Sequence, residues 1–285
     1  MRGQRPQDLV FTLFGEYLLE RSDSVWVGSL IALLEPFGLT EGGVRTVLSR
    51  MAKKGWLASE RSGRSSFYAL TERGRSLLEE GQARIYDPSW DRDWDGQWFL
   101  LAYSIPQDAR SARDRLRDRL AWLGFGSIGN GLWVSSRDVQ ADVRDLSEQL
   151  GLEGHLLCFQ ASPVGTLTNH ELVDRCWDLE ALHWSYHDFA ERWTVAAREM
   201  DDARAADRND ARAFALRFEL IHEFRRFPLE DPFLPRALLP DPWAGDAASA
   251  VFRDLHDRLV GPADRWVSAV LGGAPDRTGR EAAAS

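Results

Sequence analysis

Cysteine is nearly missing from this 285-residue chain, which has only Cys158 and Cys176. Two thiols can neither staple a small secreted scaffold nor supply a four-ligand zinc site. Lysine is almost as scarce: Lys53 and Lys54 are the only two among 35 basic residues. No uninterrupted apolar run approaches the ~20 residues that a membrane-spanning helix needs. The opening Met1–Pro6 has no signal-peptide pattern. The expectation is a soluble, cytoplasmic protein without membrane contact. What is plentiful is apolar surface, 44% of residues with twelve Trp, enough for several cores. The length predicts two or three domains of roughly 100–150 residues each.

The charge is uneven. Residues 1–86 hold 12 basic and 10 acidic residues, the remainder 23 and 34. Thr40–Arg75 alone holds 8 basic to 3 acidic, including both lysines. A basic segment on an acidic chain is where a polyanionic partner would bind, although charge also clusters on ordinary solvated faces.

The segment Asp8–Leu19 has apolar residues at helical spacing, and Val25–Leu34 is a second apolar stretch closed by Glu35-Pro36-Phe37-Gly38. Thr40 is a natural N-cap for a third helix, with Glu41 in its first turn and Gly55 beyond its end near Lys54. Two β-prone runs, Trp56–Ser59 and Ser66–Leu70, flank Glu60–Arg64 as a hairpin, and a last helix runs from Thr71 to about Tyr86. This order is that of a winged helix-turn-helix. At 100° per residue, Val44, Val47, Leu48 and Met51 share the inner face of the third helix. Arg45, Thr46, Ser49, Arg50 and Lys53, with Gly42, collect opposite. Small, hydroxyl and basic side chains suit the major groove, where Arg bridges guanine O6 and N7. Arg61 and Arg64 at the hairpin tip are placed for flanking backbone or minor groove. The same module also serves elsewhere as a protein-contact surface.

Asp87–Asp95 reads as a connector carrying Trp90 and Trp94, and Trp98–Ile105 as a buried strand stopped by Pro106. Asp108 is expected to N-cap an amphipathic helix to Leu123, whose outer Arg110, Asp114 and Arg117 can pair with one another. The glycines of Gly124–Gly131 lie between that helix and the strand Leu132–Ser135. Nucleotide loops need strand, glycines, helix, so no nucleotide site is assigned. A helix over Asp138–Leu150 and a strand His155–Ala161, with Cys158 buried in it, complete a ferredoxin-like α/β sandwich with room for an extra edge strand.

The last third is helical over Asn169–Ala206, Ala213–Phe227 and Ala247–Val260, ahead of a tail from Gly272. His183 and His187 stand four apart with Glu191 a turn on, but residue 184 is Trp and no further ligands cluster, so no metal is assigned. The rigid turn Phe227–Pro235 lies beside His222, Arg225 and Arg226. These groups either pair with Glu230 or Asp231 or hold an acidic ligand against aromatic walls. No Ser/His/Asp or Cys/His arrangement suggests catalysis.

The residues Val44-Arg45-Thr46-Val47-Leu48-Ser49-Arg50-Met51 with Gly55-Trp56-Leu57, Tyr86-Asp87-Pro88-Ser89-Trp90-Asp91, Trp122–Gly126 with Gly131–Ser135, and His222–Phe227 with Asp231–Pro235 occur in one order. Together they resemble the PaaX family of bacterial transcriptional repressors. The resemblance runs from about Asp8 to Val270. It implies an α+β chain: a winged helix-turn-helix over 1–86, a central ferredoxin-like, Cas2-like domain over 87–168, and a helical effector and dimerisation domain over 169–272, with a flexible tail from 273. It also implies a homodimer on double-stranded operator DNA, released by an aryl-CoA thioester such as phenylacetyl-CoA, and no cofactor. Arg45, Thr46, Ser49 and Arg50 match the recognition-helix motif, and His222, Arg225 and Arg226 are the effector candidates. Gly42-Gly43 departs from the helix formers expected there. Two alternatives remain at this point, a DNA-bound scaffold without effector and a Cas2-like nuclease. Against the second, the first central strand ends Ala102-Tyr103-Ser104-Ile105-Pro106 with no carboxylate to hold a metal.

Overall fold

The computed structural model describes residues 5–20, 24–86, 94–202 and 209–275. Chain contacts divide it into two compact units: residues 1–86, 191–225 and 249–285 in one, 87–190 and 226–248 in the other.

In the first unit, α1 (Pro6–Leu13) starts with Pro at a position whose N–H would be unbonded anyway. It continues into a π-wound turn, Phe14–Leu18. Both bury the predicted stripe of Leu9, Val10, Leu13, Phe14, Tyr17 and Leu18. A two-residue strand β1 (Val25–Trp26) precedes α2 (Val27–Leu34), and a 3₁₀ turn ending at Gly38, φ +80°, leads to α3 (Glu41–Lys53). The Thr40 hydroxyl accepts the Gly43 N–H at 3.2 Å, the expected cap, and Gly42-Gly43 leave the helix unbroken. Strands β2 (Leu57–Ser62) and β3 (Ser65–Leu70) pair antiparallel, and β1 takes the far edge of β3. The helix α4 (Glu72–Tyr86) follows. Gly74 is required in it, since a Cβ there would sit 2.1 Å from the Trp56 carbonyl oxygen.

The hairpin is longer and tighter than its sequence suggested. Gly63 takes φ +60°, so Gly63-Arg64 alone close the connection between the paired Ser62 and Ser65. Arg61 therefore lies within β2 opposite Ser66, not at the tip, and Arg64 is in the turn.

The larger difference concerns 169–272, which forms no third body of its own but is shared between the two units. The reason is packing. Phe214 and Phe218 of α9 (Asp210–Phe224) and Ala263 and Val267 of α11 (Ala244–Gly272) belong to the same core as α1, α2 and α3. The Ser29 hydroxyl donates to the Val270 carbonyl at 3.1 Å.

In the second unit, β4 (Trp98–Tyr103), α5 (Arg110–Trp122), β5 (Gly126–Gly129), β6 (Leu132–Ser135), α6 (Gln140–Leu150) and β7 (Leu156–Ala161) follow in order. The four strands form an antiparallel sheet in the order β5-β6-β4-β7. Phe99, Leu101 and Trp133 meet Ala112, Leu116 and Leu120 of α5 and Val143 and Leu146 of α6. Arg110 and Asp114 are 3.8 Å apart on the outer face of α5, the local pairing expected there. Two expectations are corrected. Asp108 lies inside a 3₁₀ turn, and α5 is preceded by Ala109 with no side-chain cap. Cys158 is exposed, because β7 is the edge of the sheet and not an inner strand.

The expected long helix breaks in two: α7 (Asn169–Cys176), opened by a Thr168–Glu171 capping box, and α8 (Leu179–Asp202), whose Ala181 N–H is taken by Asp178. A short α10 (Phe227–Glu230) follows α9 in sequence. Tyr186 donates to the buried Asp231 carboxylate at 2.8 Å and stacks on Phe227. The connector residues 87–93, including Trp90, lie outside the described residues, as does the tail from 276.

Candidate nucleic-acid interface

The α3 helix sits with Val44, Leu48 and Met51 wholly buried and Val47 nearly so. The opposite face, which is exposed, carries Arg45, Thr46, Ser49, Arg50 and Lys53. This partition follows from the 3.6-residue period: the inner stripe is fixed by burial, so the outer set has one direction in which to point. Two of the outer side chains already have local partners. Arg45 donates from Nε and Nη2 to one Glu41 oxygen at 3.0 and 2.8 Å, and the Thr46 hydroxyl donates to the Gly42 carbonyl at 2.7 Å. Such an exposed pair is worth only ~0.3–0.5 kcal/mol and yields readily to a phosphate. Among the described residues Arg50, Lys53, Arg61 and Arg64 have no ion-pair partner, and all four are exposed. Lys54 is different: it bonds Gln7 and lies 4.7 Å from the Trp56 ring centre. The α3 face and the β2–β3 hairpin thus offer polyanions a set of cations with no internal obligation.

The comparisons with known proteins cover most of the chain. Residues 5–74 match a family model described as PaaX-like protein, 91–173 the PaaX protein central Cas2-like domain, and 177–269 the PaaX-like protein C-terminal domain. Over 263 residues the chain is 35% identical to the transcriptional repressor PaaX of Escherichia coli K12, covering 91% of this chain and 82% of that one. The chain belongs to the PaaX family. In fold it resembles uncharacterised protein Rv0674 of Mycobacterium tuberculosis, with a TM-score of 0.56, 22% identity, and 92% and 96% of the two chains covered.

The three effector candidates of this PaaX-family chain find separate partners. On α9, Arg225 donates to the Asp8 carbonyl at 3.0 Å and to the Thr12 hydroxyl at 2.8 Å. The same hydroxyl lies 2.8 Å from His222 Nδ1. His222 and Arg225 are thereby brought together against α1. The Arg226 guanidinium lies 4.9 Å from the Phe227 ring centre. A cleft of about 400 Å³ does follow the proline-rich turn, walled by Phe233 and Trp243, and the three candidates are not among its lining residues. Its one cation, Arg236, is paired with Asp246. In the possible metal trio, His183 accepts the Ala244 N–H at 3.4 Å and His187 lies 3.7 Å from Asp188. Among the described residues no group of three or more His, Cys, Asp or Glu could hold a metal ion, and no helix is long and apolar enough to cross a membrane.

Burial first, and the nearby Arg225 second, push the His222 ring down to about 4. The folded state therefore resists a proton that the unfolded chain accepts near 6.5. Stability is whole above pH 6.5 and is lost as pH falls from there towards 4. Urea midpoints at pH 7 and pH 5 should drop further for the native chain than for His222→Gln. Equal drops would remove His222 as the cause.

Proposed function

We propose that this chain is a transcriptional repressor that binds double-stranded operator DNA through a winged helix-turn-helix, with α3 in the major groove. The observation that carries the reading is the exposed, largely unpaired set Arg50, Lys53, Arg61 and Arg64 on an otherwise acidic chain. The printed name of the Escherichia coli relative supports it. The hairpin, flanked by α3 and α4, is the wing. The βαββαβ order of the second unit, with both helices on one face, supports a ferredoxin-like sandwich. The protein acts as a cytoplasmic homodimer, each copy reading one half-site about one DNA turn from the other. It is not an enzyme: β4 ends in Tyr103-Ser104-Ile105-Pro106, which offers no carboxylate for a nuclease metal.

The inducer is an acyl-CoA thioester of the phenylacetyl-CoA type. A cleft of about 280 Å³ in the first unit supports this, with Met200, Leu216 and Pro262 as apolar lining and Arg212, Arg258 and Arg265 as cations. Its size suits an aryl or short acyl group, with the phosphates lying on the arginines. Leu216 belongs to α9, which also carries Phe214 and Phe218 into the core beneath α3. His222 and Arg225 then act as fasteners of α9 to α1, carrying the shift without touching the thioester. A ligand releases DNA only by unequal affinity for the two states, so thioester and operator weaken each other's binding equally.

Fluorescence anisotropy on the DNA upstream of the protein's own operon tests both parts. Specific binding released by phenylacetyl-CoA is expected. Binding indifferent to the thioester would favour the effector-free scaffold, and no specific binding would end the repressor reading. Arg50→Ala should weaken operator binding by ~1–3 kcal/mol with the fold intact. Unchanged affinity in that variant removes Arg50 from the readout.

A further inference from the structure

The two sheets have four outer edges, and most are protected against pairing with other chains. In the first unit β2 carries Glu60 and Arg61, and β1 is only two residues long. In the second, β5 is four residues long, begins and ends in glycine, and has an irregular register between Ser127 and Gly129. Short length, charge and bulges are the usual protections of a sheet edge. The β7 strand has none of them. Leu156-Leu157-Cys158-Phe159-Gln160-Ala161 is six residues long, uncharged and regularly paired with β4 along its whole length. Among the described residues no strand pairs with its other side. Leu157 is 61% exposed and Phe159 51%, on the sheet face opposite α5 and α6. Such an edge left open in water invites aggregation.

We propose that β7 is the dimer interface, pairing antiparallel with β7 of a second copy to make one continuous eight-stranded sheet. This names the surface of the homodimer in the functional reading above. An uncharged strand meets its own copy without like charges, and two-fold pairing closes the edge with no free end left over. Geometry also restricts the register. Alternate residues of β7 turn their N–H and C=O away from β4, and residues opposed across an antiparallel pair must turn the same way. Opposed positions are therefore an even number apart, which puts one residue opposite itself on the two-fold axis. With Cys158 there, each Leu157 meets the second copy's Phe159, and all four exposed apolar side chains are covered in cross-strand pairs. With Phe159 on the axis, Leu157 would face only Ala161. Cys158 is the axial residue. Directly opposed Cα atoms lie about 4.5–5.5 Å apart, within the span of a disulfide.

Sedimentation velocity at micromolar concentration should find the native chain dimeric. Phe159→Lys, at a half-exposed position where the fold tolerates it, should weaken the dimer about 100-fold or more by facing like charges near the axis. Its circular dichroism and melting temperature should stay native. Diamide should join two chains covalently in the native protein and in Cys176→Ser, but not in Cys158→Ser. A monomeric native chain, or a Phe159→Lys dimer of native strength, overturns the interface. A dimer that diamide cannot cross-link through Cys158 overturns the register. These outcomes are independent of operator binding. A dimer that ignores DNA ends the repressor reading alone, and a monomer that binds its operator ends only the interface.

Discussion

Phe218→Ala is expected to destabilise the protein by ~3–5 kcal/mol, the cost of emptying a fully buried aromatic site. The Phe218 side chain is entirely inaccessible, and its ring stacks on Phe37 at 3.9 Å between centres and tilts against Phe214 at 5.9 Å. Phe37 closes the turn that leads to α3, so the cavity would open directly behind the proposed recognition helix. Urea denaturation followed by tryptophan fluorescence measures the loss. Leu229→Ala, 45% exposed on α10, is the control and should stay within ~0.5 kcal/mol. The same packing predicts that a fragment ending at Tyr86 does not fold alone. It would carry α1 to α4 and the hairpin but lack the α9 and α11 residues of their shared core. Disordered circular dichroism from the fragment is the expected result. A cooperatively melting fragment would mean that α9 only leans on a module already complete.

That dependence also marks how far the chain can be understood from its sequence. The inner and outer faces of α3 were legible because they rest on local periodicity, as were the Thr40 cap and the α1 stripe. The apolar positions of α9, Leu216, Leu220, Ile221 and Phe224, were legible as a helix, but periodicity cannot say against what a helix packs. Nothing local to Phe214 or Phe218 points to Phe37, some 180 positions earlier. The β7 error is of the same kind. A continuous run such as Leu-Leu-Cys-Phe reads as an inner strand, whereas burial depends on whether a neighbour covers it, and within one chain none of the described strands does. His222 and Arg225 were legible as polar groups beside a rigid turn, but their bonds to Thr12 and Asp8 cross more than 200 residues.

Arg217→Met should cost a comparable ~3–5 kcal/mol, but for an electrostatic reason that pH can expose. Arg217 and Glu16 are an ion pair whose side chains are 4% and 8% exposed. Arg217 also donates to His256 Nε2 at 2.9 Å, and its guanidinium lies 5.0 Å from the Tyr17 ring centre. Tyr86 donates to the second Glu16 oxygen at 2.7 Å. The cluster joins residues of the π-wound turn, α4, α9 and α11. Burial alone would raise the Glu16 carboxyl. The His256 ring, the Arg217 guanidinium and the Tyr86 hydroxyl together bring it below its ordinary value of 4.5. In the native chain Glu16 therefore stabilises the fold above about pH 4.5 and stops doing so as pH falls through its lowered folded value. Removing Arg217 reverses the sign. Burial then favours protonated Glu16, so the variant is weakest at neutral pH and its deficit shrinks on acidification. The double variant Glu16→Met with Arg217→Met should be more stable than the single one, because no uncompensated charge stays behind. Urea midpoints of the three proteins at pH 7 and pH 4.5 decide the matter. A deficit for Arg217→Met that is the same at both pH values would make Arg217 a packing residue, and the buried charge would have no part in joining these elements.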